Sequence, residues 1–189
     1  MATLKLNDVT TMTESGGTVT MADGVALGTP ASGTLTNATF PAGHILQVIQ
    51  HITATEIANT TNPDDVDLME KAITPKTSTS KILIALNWYE GNSNPNGAYR
   101  LMRDGTSIVN SHSHSDGTGF AAMDDLGVGN SYAMESFHFT YLDSPTIPST
   151  PIPITYKLST HSSSSVYFNC QIDGVGGGTS TITLWEIAG

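Results

Sequence analysis

The chain is predicted to be all-β: an antiparallel β-sandwich or jelly roll preceded by a short, extended, strand-rich N-terminal segment. Three observations predict it. Charged residues make up 13% of the 189 residues, about half the ~25% usual for soluble domains, and 27 Thr and 19 Ser supply polarity in their place. Thr suits pleated, half-buried strands, while Ser and Gly favour turns. About eight runs with strand patterning, and no alternating helical pattern, occupy residues 45 to 189. Turn signals separate these runs. The sharpest is Asp104-Gly105, a dipeptide that closes two-residue hairpins.

Residues 1 to 44 form a segment of their own, rich in Gly, Thr, Ser and Ala, with Phe40 as the lone aromatic. Leu4–Asn7, Thr18–Met21 and Thr34–Asn37 alternate as short strands do. The segment has too few large apolar groups to form its own core, so it reads as a linker or as a shaft that orders against other chains. After the Pro41-Ala42-Gly43 turn, residues 45 to 189 read as the sandwich head. Its expected strands are Ile45–Ile52, Lys81–Tyr89, Ala98–Arg103, Thr106–Asn110, Tyr132–Leu142, Ile154–Ser159, Val166–Ile172 and Thr179–Ile187. Val66–Ile73 fits a short helix opened by Asp64-Asp65 as well as it fits a strand. The Gly174–Gly178 link uses the φ freedom of glycine.

Charge excludes several functions. Seven basic residues stand against seventeen acidic ones, for a net charge of −10. Nucleic-acid binding needs clustered Lys and Arg to displace counterions, and an anionic membrane surface asks for the same. The longest apolar run, Ile82–Leu86, is far short of a bilayer span. Met1–Thr10 lacks the basic and apolar regions of a secretion signal, so synthesis in a cytoplasm and export by assembly into a particle are expected. The single Cys170 has no intrachain partner and reads as a small buried residue on a strand.

Several stretches carry a resemblance. Ser32–Val48, Ile73–Lys76, Ser80–Ile84, Arg103–Thr106, Tyr141–Pro145, Thr155–Leu158 and the ending Ser180–Gly189 together resemble the tail-fibre and virion appendage proteins of marine phages. None of these stretches is catalytic. The resemblance implies a virion component, a fibre or spike that works as a homotrimer. Such fibres are usually much longer than this chain. That favours a short fibre, spike or decoration whose N-terminal segment docks to capsid or tail subunits.

Candidate site residues follow from chemistry. Trp88, Tyr89 and Tyr99 flank the loop holding Asn92 and Asn94, and aromatic faces beside amides suit stacking on sugars. The competing reading is that Trp88 ends a core strand and packs inward. His112 and His114, two apart, project to one side of a strand, and with Asp116 they could hold Zn or Fe. On a three-fold axis such pairs would supply six nitrogens, as in some trimeric phage fibre tips; otherwise no cofactor is expected. Asp64, Asp65, Asp67 and Asp124-Asp125 read as solvated turns rather than calcium ligands, lacking EF-hand spacing. No Gly-x-Ser-x-Gly elbow occurs. Glu90, Asp104, Glu135 and Asp143 are the carboxylates that could converge for glycoside hydrolysis. The expected function is a non-enzymatic, trimeric short fibre or spike whose head presents loops to host glycans. The alternatives are a purely architectural capsid decoration or tail adaptor and, third, a polysaccharide depolymerase.

Overall fold

The structure is a computed structural model that describes residues 2–6, 9–15, 18–21, 41–59, 66–91, 97–109, 112–114, 117–123, 134–162, 166–171 and 176–189. Among these residues there is no helix, and every strand pairing is antiparallel. The fold is therefore all-β and sandwich-like. The chain divides into two compact units, Met1–Thr39 and Phe40–Gly189.

The first unit contains a three-stranded meander: β1 (Ala2–Leu6), β2 (Val9–Ser15) and β3 (Thr18–Met21), in that order. The alternating stretch Leu4–Asn7 falls on β1 as far as Leu6 and Thr18–Met21 is β3, while β2 lacks a comparable signal. Leu4 is 55% exposed, as a segment poor in large apolar groups would have it. Thr34–Asn37 lies outside the described residues.

The second unit holds β4 (Ile45–Thr53), β5 (Ile57–Asn59), β6 (Val66–Ile73), β7 (Lys81–Gly91), β8 (Gly97–Arg103), β9 (Thr106–Ser107), β10 (His112–His114), β11 (Gly117–Gly119), β12 (Ala121–Met123), β13 (Met134–Asp143), β14 (Ile154–Ser162), β15 (Val166–Phe168) and β16 (Ser180–Ile187). One sheet runs β12-β8-β14-β6, with β9 paired to β8. The other runs β4-β16-β7-β15-β5, with β13 paired to β7. Glu90 pairs with both Glu135 and Phe168, so β13 lies along one edge of β7 while β16 and β15 share the other. β10 and β11 form a small separate hairpin.

β7 shows why the core forms. Ile82, Ile84, Leu86, Trp88 and Glu90 are buried, whereas Lys81, Asn87 and Tyr89 face out. What reads as a continuous apolar run is thus an alternating strand with Leu83 and Ala85 on its outer face. Phe137, Phe139 and Tyr141 of β13 stand opposite Trp88, Leu86 and Ile84. From the facing sheet come Leu68, Met69, Ile73, Tyr99, Leu101, Ile154, Tyr156 and Leu158. The ambiguous Val66–Ile73 is strand because β14 pairs along its length, burying Leu68, Met69 and Ile73.

Turn chemistry sets the strand ends. Asp104 and Gly105 have φ of 48° and 81°, the paired positive values of a type I′ hairpin turn. The side chain of Asp104 also accepts Thr155 N–H at 2.8 Å. β15 stops at Phe168, short of the expected Ile172, because Asn169 is left-handed at φ 58°. Its fully buried side chain explains the choice. The amide donates to Thr53 O at 3.1 Å and Thr55 O at 3.2 Å and accepts the Ser180 hydroxyl at 2.5 Å. Asn is among the few L-residues that tolerate this backbone region.

Two buried polar knots close the sandwich at the start of β7. Glu186, fully buried, sits opposite Ile82 on one side; Asp143 sits opposite it on the other. Glu186 accepts from Lys76 N–H and the Ser80 hydroxyl at 2.5 Å, Gln47 Nε2 at 2.6 Å and Thr77 N–H at 3.4 Å. Asp143 accepts Arg103 Nη1 at 2.8 and 2.9 Å and the Tyr156 hydroxyl at 2.7 Å. The second knot bonds one sheet to the other. Each of the seven stretches named for the resemblance contributes to a knot: Gln47, Lys76, Ser80 and Glu186 to the first, Arg103, Asp143 and Tyr156 to the second. Glu186→Gln turns an accepting oxygen into a donor facing donors. It is expected to cost about 2 kcal/mol, read as a lower urea midpoint at unchanged m-value.

Candidate functional site

The two ends of β7 differ in chemistry. At its start the buried carboxyl groups are fully hydrogen-bonded, and the chain comes into the sandwich there: Gly43 N–H donates to Ala188 O at 2.7 Å and Ala188 N–H to His44 O at 2.8 Å. At its other end the pairs Gly91↔Met134, Phe168↔Glu90, Ser162↔Gly97 and Thr160↔Val66 bring six strands to one rim. The strand ends at this rim are followed in sequence by 60–65, 92–96, 124–133 and 163–165, which lie outside the described residues.

Strand parity decides which candidates can meet a ligand. Trp88 points inward and is 2% exposed; Tyr99 is 3% exposed. Their rings lie 4.9 Å apart, and Trp88 also stacks on Phe137 at 5.4 Å and meets Phe120 edge-on at 6.1 Å. Both are core residues, so neither offers a face to a sugar. Tyr89, one residue along, points outward and is 38% exposed. Asn92 and Asn94 lie outside the described residues. His112 and His114 lie on β10, opposite Gly119 and Gly117; their side chains, like Asp116, are not among those described. Among the described residues no group of three or more His, Cys, Asp or Glu is placed to hold a metal ion.

Tyr89 borders a cleft of about 380 Å³ with Met134, Gly177, Gly178 and Thr179. Two contacts hold this corner: Tyr89 N–H donates to the Ser180 hydroxyl at 3.2 Å, and Asn169 N–H to Tyr89 O at 2.9 Å. The ring lies against the α-carbon of Gly178, where an added Cβ would come within 2.6 Å of Tyr89 Cβ. Glycine is needed there for space. The cleft joins one aromatic face, a thioether, a hydroxyl and glycine backbone, a lining suited to a small polar ring. Gly177 and Gly178 gave the sequence signal, as part of the glycine run, but nothing local tied them to Tyr89.

The four carboxylates separate by end. Asp143 belongs to the inter-sheet knot and Asp104 to its hairpin. Glu90 and Glu135 are direct cross-strand partners at the rim. Burial pushes the Glu90 carboxyl up to about 8, and its Oε2, with Trp88 Nε1 and Tyr99 Oη, is buried without a hydrogen-bond partner among the described residues. Burial and the Asp143 bond push the Tyr156 phenol up. Burial, with Glu56 adding to it, pushes the Cys170 thiol up, away from the thiolate a nucleophile needs. Set against known proteins, the chain matches no family model and no curated protein.

Glu90 gives a pH prediction. The folded chain holds a proton that the unfolded chain releases near pH 4.5. Its stability contribution is present in full below that pH and is lost as pH rises through about 8. The span amounts to a few kcal/mol. Thermal unfolding from pH 4.5 to 9 should show this decline, and Glu90→Gln should flatten it and raise Tm at pH 9. An unchanged slope in Glu90→Gln would remove the assignment.

Proposed function

We propose that the chain is a structural, non-enzymatic phage virion protein, a trimeric short fibre or spike with a β-sandwich head that binds a host-surface glycan. The polarity of the sandwich carries this reading. The chain comes in at the end that two polar knots close, and the strand-connecting segments leave from the opposite rim. A protein anchored through its N-terminal segment and recognising a surface with its far end needs this arrangement. The resemblance to phage appendage proteins supports the same reading, because every stretch that carries it feeds a knot rather than a reactive site. Tyr89 and its cleft, on the rim side of the outer sheet face, are the glycan-binding position in this reading.

Immunogold microscopy of purified phage particles, using antibodies to the folded chain, is expected to label an appendage. Soluble chain is expected to compete with adsorption to host cells. Particles without label sink the virion assignment; labelled particles whose adsorption is unaffected turn it into a purely architectural capsid or tail piece. On a glycan array, Tyr89→Ala should weaken binding about tenfold, the loss of one stacked aromatic face, with no change in Tm. Binding at wild-type strength in Tyr89→Ala removes the cleft from the reading.

A further inference from the structure

The solvent faces of the two sheets are unlike. The outer face of the β12-β8-β14-β6 sheet carries Asp67, Glu70 and Lys157, with Lys157 Nζ at 2.7 and 3.4 Å from the two carboxylates. The outer face of β4-β16-β7-β13 carries no Asp or Glu; parity and register give it Val48, Gln50 and Ile52 of β4, Thr181, Thr183, Trp185 and Ile187 of β16, the odd-numbered residues of β7 and the even-numbered residues of β13. Its basic side chains are Lys81 and His138. Across it runs an unbroken apolar row, Val48↔Trp185↔Leu83↔Leu142, from one edge strand to the other. Ile45↔Ile187 extends it towards the closed end. Val48 is 51% exposed, Leu142 47% and Ile45 60%. A row of large apolar side chains in solvent marks a contact surface.

We infer that this face is where copies of the chain join, the same sheet face of the neighbouring copies around the trimer axis being the occupant of the Val48-Trp185-Leu83-Leu142 row. The inference rests on the oligomeric part of the reading above and adds its location. Charge selects the occupant. Two chains of net charge −10 repel over most of their surfaces, and this face, free of carboxylates, lets them approach without setting acid against acid. Size agrees: four strands at ~4.8 Å spacing and about eight residues at ~3.3 Å give roughly 500 Å² in plan before side-chain relief, the order of the ~800 Å² per partner of a standard interface. The row and the Ile45↔Ile187 pair stand at the closed end, with Ile52 and Tyr89 on the rimward part of the face, so contact centred on the row leaves the opposite rim free. Trp185, half-buried in the single chain and central in the row, is the residue type that dominates such contacts.

Sedimentation velocity on the full chain tests this. Wild type is expected to sediment as an assembly of 19.9 kDa subunits, and Val48→Glu and Leu142→Glu, both at already exposed positions, as a folded species of one subunit. Ala72→Glu, placing the same charge on the outer face of the other sheet, should leave the assembly intact. A monomeric wild type overturns the oligomeric reading and this inference together. An assembled wild type whose Val48→Glu and Leu142→Glu forms stay assembled overturns only this inference and leaves the oligomer standing on another surface. Because either variant could perturb folding, near-ultraviolet circular dichroism must match wild type; if both fail, Leu142→Ser and Val48→Ser replace them, with an at least tenfold weaker association expected and unchanged association overturning the inference.

Discussion

Glu186 is a carboxyl group with no exposure to solvent, and much of the head follows from the donors needed to keep it there. Burying such a group without partners costs several kcal/mol, so the chain around it has to deliver hydrogen bonds. They come from Gln47 on β4, two backbone amides and Ser80 in the connection between β6 and β7. That connection is drawn onto the last strand, and β4 is tied to β16 by a side chain as well as by its ladder. Lost without these partners, the group would oppose folding; surrounded by them, it fixes one arrangement of three distant segments. The specificity is geometric, since an apolar side chain in its place would pack without demanding that particular loop.

The opposite end of β7 follows the contrary rule. Glu90, Trp88 and Tyr99 each leave a buried polar atom unpartnered among the described residues, and a cross-strand pair of glutamates replaces the bonded Glu186 and Asp143 that flank Ile82. Native interiors keep few such groups, and each leaves the desolvation of its polar atom uncompensated. The contrast between the ends is therefore energetic as well as topological. At the other end the second knot bonds one sheet to the other and holds them in register there.

Much of this fold is legible in the amino-acid sequence. The alternation of Phe137, Phe139 and Tyr141 against Ser136, His138 and Thr140 gave β13 its inner face, and Asp104-Gly105 gave the hairpin its turn type. β5, β10, β11 and β12 were missed because three residues are too few to show a period of two. The site was less legible for a specific reason. Trp88 and Tyr89 are adjacent, so which of them meets solvent depends on the strand's phase, and an apolar run such as Lys81–Tyr89 conceals that phase. The knots were hidden differently. Glu186 and Gln47 are 139 residues apart, and nothing local in either segment announces the other.

The same strand phase links the core to the outer face. Once Ile82, Ile84, Leu86 and Trp88 occupy the interior, Leu83 must stand on the outer surface, and its cross-strand partners Trp185 and Leu142 are carried there with it. A chain that needed only solubility could have placed Thr at these positions, as it does at Thr183 and Thr140 in the next row. Instead the large apolar residues line up in one register across four strands, while the charges that a sheet surface usually carries stand on the opposite sheet. Register converts a choice made at single positions into a continuous surface property. In a chain with so few charged residues, the absence of carboxylates from one whole sheet face becomes meaningful beside this row, whose rimward neighbour, Gln50, Thr183, Ala85 and Thr140, stays largely polar.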